Sequence, residues 1–431
     1  MKKSLGLKEL VAIAVGGMVG GGIFTILGIA VSIVGFLAPF AIALGGIIAL
    51  FAAYSYIKLG LYYKDEGATY AFFKRTYPDS HNAASFIGWY TIFGYISTLA
   101  LYAYTFSSYS ISGFAFANNE IIRKAVAIGI IWMFALINLW SVKGMGRLED
   151  LMVYTKLIIL FLISSALIYY GETDFHTFAA TLKKDFANTT ILNILIVSSV
   201  TFVAYEGFQL VINAVNEMEN PDKNIPRAIY TAVILVASIY FIIALGAVLA
   251  IPGEDLIKNK EYALASGAKD IMGNLGQNLV VFGAVLATSS AISGTMFGSS
   301  RQMARIADDG YLPKALTKRR MRIPTYAIIA MAGTASLLIL SGGLRLILEF
   351  GSITFLLVSL LMAIANFKIR KKTHSSTLFT VIAILGLLGG TVLILYYEYQ
   401  TRPEQLKFIV LLYILLSLGA WIYAKIRARL N

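Results

Sequence analysis

Stretches of about twenty apolar residues, parted by short polar segments, recur along the whole chain. A helix rises 1.5 Å per residue, so each run matches the hydrocarbon core of a bilayer. The pattern predicts twelve membrane helices at 7–33, 39–62, 83–112, 121–140, 149–170, 189–216, 227–251, 274–304, 324–343, 347–367, 377–398 and 406–426. The fold class expected is an all-α membrane protein with one transmembrane domain over residues 1–431 and no soluble appendage. The polar segments near 172–188 and 252–273 are predicted to hold short helices lying across the surface.

Two of these runs are interrupted near their middles. The first carries Gly16, Gly17, Gly20, Gly21 and Gly22, and the sixth carries Glu206 and Gly207 in "FVAYEGFQ". Backbone that leaves the helix at membrane depth is tolerated only where it is buried in protein or lines a cavity. Paired interruptions in two halves of a chain point to inverted repeats with a transport site between them. Repeat one is expected at about 7–170, repeat two at about 189–343, and two accessory helices at about 347–426. Three consecutive glycines can present bare N–H groups to an anion at the start of a half-helix. The competing reading is close helix packing through small residues.

Composition narrows the class further. The 431 residues are 58% hydrophobic and 14% charged, well below the charge of a soluble chain. Cysteine is absent and the three histidines are scattered, so neither a thiolate site nor a histidine metal site is expected. The net charge of +13 follows topology: 25 Lys and Arg fall on one side of the expected spans and 10 on the other. The positive-inside rule therefore predicts both termini in the cytoplasm and disfavours a nucleic-acid partner. No Ser-His, His-Glu-x-x-His or paired-aspartate pattern lies within the spans, which disfavours an enzyme, and no filter-like segment suggests a channel.

The stretch "GGMVGGGIF" resembles the first-span signature of the amino acid–polyamine–organocation family. "FVAYEGFQLVINAVNEMENPDKNIPRAI", residues 202–229, resembles that family's sixth span and following loop, and "ADDGYLPKAL" its loop after the eighth span. The resemblance covers the whole chain. It implies the LeuT-type fold, five plus five inverted-repeat helices with two more at the C-terminal side, and transport of an amino acid or amine by alternating access. It implies no cofactor, a multi-pass location in the cell membrane, and the lipid bilayer, a small amino acid or amine and protons as partners.

Carried over residue by residue, the resemblance assigns the substrate carboxylate to Gly20, Gly21 and Gly22, beside Met18. Gly21 departs from the family, where serine is usual, so a hydroxyl contact is expected to be lost. The substrate amino group falls to the sixth-span break at Phe202, Tyr205, Glu206 and Gly207, with Phe202 also at the family's aromatic gate. Glu206 has three open readings: pairing a cationic group, titrating during transport, or bracing the broken helix.

Lys156 lies roughly 10 Å inside the fifth span. One reading is a snorkelling chain that reaches the headgroups. The other follows from the resemblance: some proton-coupled members place a lysine ammonium where sodium-coupled relatives hold their cation. Ser289 and Ser290 of the eighth span, with a carbonyl near Gly17, would complete that ion-coupling site. Tyr102, Tyr104 and Tyr109 either line the pathway or form an interfacial belt. Lys58 is expected to snorkel, and Glu217, Glu219 and Arg227 to form loop ion pairs. The reading is thus a proton-coupled, sodium-independent amino acid transporter. The alternatives are an uncoupled amino acid or polyamine exchanger and a transporter-like nutrient sensor.

Overall fold

The computed structural model describes residues 5–140, 145–171, 173–259, 261–320 and 323–430. Lys2, Lys3, Lys143, Lys260 and Arg322 of the charge pattern lie outside the described residues. The described chain is helical throughout, with two isolated bridges and no strand. Nine helical stretches among the described residues are long and apolar enough to cross a membrane. The molecule is a multi-pass membrane protein.

The first apolar run is two helices. Helix α1 (Leu7–Met18) and α2 (Gly22–Val34) are parted at residues 19–21, where the glycines predicted an interruption. At 12 residues α1 is roughly 18 Å long, about half a bilayer. Helix α2 is buried on every side over its first ten residues, as expected of a helix that is apolar all round. A short turn at Gly35 leads into α3 (Ala38–Tyr63). Next come the short α4 (Ala68–Thr76) and the long α5 (His81–Ser110), then α6 (Glu120–Trp140) and α7 (Met145–Tyr169).

The segment after α7 holds the expected surface helix, α8 (Phe175–Asn188). It starts where Asp174 accepts a bond from Thr177 N at 2.7 Å. The sixth apolar run is also broken. Helix α9 (Ile191–Val200) tightens into a 3₁₀ turn over Thr201–Tyr205, and only four residues of α-helix follow, as α10 (Leu210–Asn213). Helix α11 (Pro221–Ala250) is followed by the short α12 (Gly253–Lys258). The 46-residue α13 (Ala263–Asp308) is kinked at Gly273, whose φ is +65°. Helices α14 (Thr325–Ser341), α15 (Leu344–Lys368), α16 (Thr377–Thr401) and α17 (Pro403–Leu430) complete the chain.

The core is built where α1, α3, α7 and α11 pack together and α5 meets α13 and α15. Helices α16 and α17 stay peripheral, with Leu385, Val392, Tyr399, Leu411, Ile414 and Leu418 exposed. An outward apolar face of that length is what a lipid-facing helix presents. Both chain ends lie at the same end of the molecule. Leu5 pairs with Met218, and a Cβ on Gly310 would lie 3.0 Å from Arg427 Cδ. We call this the terminal end, and the opposite one the far end.

At the terminal end the charged segments around Asp65 and Asp309 meet. Asp65 is bound by Arg75 at 2.5 Å and by Gly67 N at 2.8 Å, while Asp309 takes Lys74 at 2.9 Å and the Tyr70 hydroxyl at 2.7 Å. Burial and the bond to Asp309 push the Tyr70 hydroxyl above its ordinary pKa, so it stays a donor. Lys58 snorkels as expected and donates to His374 O at 2.9 Å. Among the described residues, the loop ion pairs expected of Glu217, Glu219 and Arg227 are not formed. Glu217 and Glu219 are exposed, and their backbones exchange bonds with Leu5 instead.

At the far end an ion pair joins the buried Arg123 of α6 to the half-buried Glu261. The Arg123 guanidinium also lies over the Tyr104 ring, and Tyr262 donates to Asn118 Oδ1 at 2.9 Å. These contacts fasten the segment between α12 and α13 across the ends of α5 and α6.

Candidate functional site

The two interruptions face each other. Glu206 is extended, with φ −71° and ψ 139°, and Gly207 has φ +130°, a conformation closed to most L-residues. Gly207 also lies directly against α1: a Cβ there would stand 2.5 Å from Gly17 C and 2.6 Å from Met18 N. Glycine is thus required on both counts, and the two broken backbones touch.

The loose backbone groups at the breaks are partly tied. Tyr240 of α11 donates to Met18 O at 2.9 Å and lies 3.3 Å from Ala204 O, so one hydroxyl spans both breaks. Tyr102 donates to Gly17 O at 3.3 Å. Gly207 N donates to Gln209 Oε1 at 2.9 Å. The start of α2 has no side-chain cap, so its first N–H groups and the positive end of its dipole are aimed at the break.

Gly21 has a physical reason for lacking a side chain. Thr105 Oγ1 lies 2.8 Å from where its Cβ would be, and Thr105 pairs with Thr25 Oγ1 at 2.5 Å. The hydroxyls beside this turn therefore come from α2 and α5.

Phe202 and Tyr205 are completely buried in the 3₁₀ turn, with the Tyr205 hydroxyl donating to Ile42 O at 2.7 Å. Tyr102, Tyr104 and Tyr109 are buried as well, which removes the interfacial-belt reading. Only Tyr102 of the three lines the cavity between the breaks. Its other walls include Gly17, Tyr95, Thr98, Glu206 and Gln209. The cavity encloses about 20 Å³, room for one water molecule.

Among the described residues, Glu206 is the one acid in that wall. It is 3% exposed; Ser359 Oγ lies 3.4 Å from Oε1, and Oε2 has no hydrogen-bond partner among the described residues. The Gly207 N–H at the break is taken by Gln209 rather than by Glu206.

Lys156 does not snorkel. It is completely buried, and its Nζ donates to Gly16 O at 2.9 Å, Val19 O at 2.6 Å and Ser290 Oγ at 3.0 Å. These three acceptors already equal the donors of one ammonium. The expected partners are corrected in two places. The carbonyls come from Gly16 and Val19, because Gly17 O turns toward Tyr102. Ser289, half-buried on α13, makes no bond to Lys156. Sequence reasoning also missed Tyr240, Tyr95, Thr98 and Gln209. Of these, only Gln209, a polar residue in an apolar run beside Glu206, left a signal.

The amino acid permease family profile matches residues 5–422. An uncharacterized protein of Methanocaldococcus jannaschii is 30% identical over 99% of this chain and 97% of its own length. The inner membrane transport protein YbaT of Escherichia coli is 29% identical over 90% of this chain and 88% of its own. The serine/threonine exchanger SteT of Bacillus subtilis is 24% identical over 90% of each.

Proposed function

The chain belongs to the amino acid permease family, and from that premise we propose that it carries amino acids across the cell membrane by alternating access, coupled to protons and independent of sodium. In this reading the chain is a LeuT-type bundle of twelve spans, with the terminal end in the cytoplasm. Helices α1 and α2 form one span and α9 and α10 another.

The observation that carries the coupling is the Lys156 ammonium. It joins α1, α7 and α13 through backbone carbonyls on one side and a hydroxyl on the other. A protonated lysine has three N–H donors; a neutral one has two and a lone pair. Loss of the proton therefore removes one bond of the tie and turns a lone pair toward carbonyl oxygen. The α1 half-helix is then less firmly held against α7 and α13, and the terminal end opens. A tethered ammonium thus does the work a bound sodium ion would do, and needs no metal.

The substrate carboxylate is read against the uncapped start of α2 at Gly20–Gly22, with Met18 beside it. The ammonium is read against the break at Phe202, Tyr205, Glu206 and Gly207. Glu206 supports that placement because it lines the cavity and its Oε2 has no hydrogen-bond partner among the described residues, while Gln209 takes the Gly207 N–H. A 20 Å³ cavity admits no amino acid, so substrate entry requires the two repeats to move apart.

Uptake of labelled amino acids into vesicles holding the purified protein tests the reading. A pH gradient alone drives accumulation, and a sodium gradient alone does not; the reverse result overturns it. Lys156→Gln abolishes proton-driven accumulation, and full retention would remove Lys156 from the coupling. Glu206→Gln weakens substrate affinity by about tenfold, the equivalent of about 1.4 kcal/mol for a lost charged contact. Unchanged affinity makes the carboxylate structural. A second reading, obligatory exchange, is favoured by the name of the Bacillus subtilis relative. Uptake that requires substrate preloaded inside the vesicle selects it.

A further inference from the structure

The far ends of α15, α16 and α17 hold a cluster that transport does not use. Glu349 of α15 and Glu398 of α16 are both completely buried. Glu349 is well satisfied: Arg345 Nε donates to Oε1 at 2.7 Å and Gln405 Nε2 to Oε2 at 2.5 Å. Glu398 faces the Glu349 carboxylate, yet neither of its oxygens has a hydrogen-bond partner among the described residues.

The surrounding charges do not resolve this. Arg345 lies over the Tyr397 ring, and its Nη2 has no acceptor, so the guanidinium does not bridge to Glu398. Arg402, just beyond α16, acts on Glu398 only through space. Glu404 and Lys407 of α17 pair with each other at the surface. Helices α9 and α14 carry no charged side chain, and those of α3 and α5 lie at the terminal end. Two buried acids thus confront one guanidinium that already serves the first of them.

A buried carboxylate without a donor is unfavourable, and two such groups face to face do not both ionise. We propose that Glu349 and Glu398 form a proton-binding site, with Glu398 as the neutral acid donating its O–H to Glu349 and clamping α15 to α16. The step balances simply: the Glu398 O–H bond breaks, the electron pair stays on the carboxylate, and the proton leaves to water at the far end. Two like charges then oppose each other, and the clamp loosens. Helix α15 transmits this inward. Its Ser352 donates to Val200 O at 2.6 Å at the start of the sixth-span turn, and its Phe355 lines the cavity. With the terminal end in the cytoplasm, the site reads external pH.

Infrared difference spectra of the full-length protein in lipid, taken between mildly acidic and alkaline media, detect a protonated carboxyl directly. The expected result is a carboxylic-acid carbonyl band that is lost on alkalinisation. The band is weakened in Glu398→Gln and missing from the double variant Glu398→Gln with Glu206→Gln. No such band in the unaltered protein, or a band whose intensity Glu398→Gln leaves unchanged, overturns the proposal. Thermal unfolding provides the second measurement. The midpoint falls as the pH rises in the unaltered protein, and the fall is smaller in Glu398→Gln, whose amide stands in for the neutral acid. An equal fall in both overturns the clamp.

Discussion

Gly207 sets how closely the two interrupted helices approach, because its φ of +130° and its contact with the Gly17 backbone both exclude a side chain. Gly207→Ala combines backbone strain with overpacking, at about 1–3 kcal/mol for each. The expected outcome is a lower unfolding midpoint together with loss of uptake, measured on the same preparation. An unchanged midpoint would mean the break adjusts freely. Lys156 differs in kind. Its position inside an apolar run announced a buried charge, but its partners did not show. Gly16 O and Val19 O are backbone atoms, and no residue letter records which way a carbonyl turns. Ser290 was legible as a hydroxyl on the right helix, whereas Ser289, its neighbour, is turned away by the helical rotation between adjacent positions.

The helices themselves were largely legible, because apolar runs of membrane length and the glycines that interrupt them are properties of the local sequence. What joins the helices was not. Arg123 and Glu261 belong to separate segments, and only the packing of α5, α6 and α13 brings them together. Their ion pair fastens the far-end segment to α6. Glu261→Gln leaves the buried Arg123 guanidinium short of its charge partner, at about 1–3 kcal/mol. The chain has no cysteine, so Thr98→Cys supplies a single thiol in the cavity wall. Labelling of that thiol from the far end is expected to speed up severalfold when Glu261→Gln is added. An unchanged rate would show that the segment is held by other contacts.

For the molecule as a whole, the charge pattern and the fold point the same way. The loops rich in Lys and Arg gather at the terminal end, with Lys64, Lys74, Arg75, Arg305 and Arg319 in ion pairs there. His374→Cys places a lone thiol at this end, where Lys58 reaches. A membrane-impermeant thiol reagent added outside intact cells is expected to leave it unlabelled, and labelling would invert the orientation. The sparse packing of α16 and α17 was not legible from hydropathy, since a lipid-facing helix and a core helix are equally apolar.

The hollow between the breaks has room for about one water molecule. A hydrated ion is larger than that, so while the Lys156 tie stands the protein offers no continuous aqueous route. Electrical leak through vesicles carrying it is therefore expected to stay at the level of bare lipid, whatever the density of protein in the bilayer. The membrane voltage that depends on such tightness is then preserved by the closeness of two glycine backbones rather than by any charged barrier.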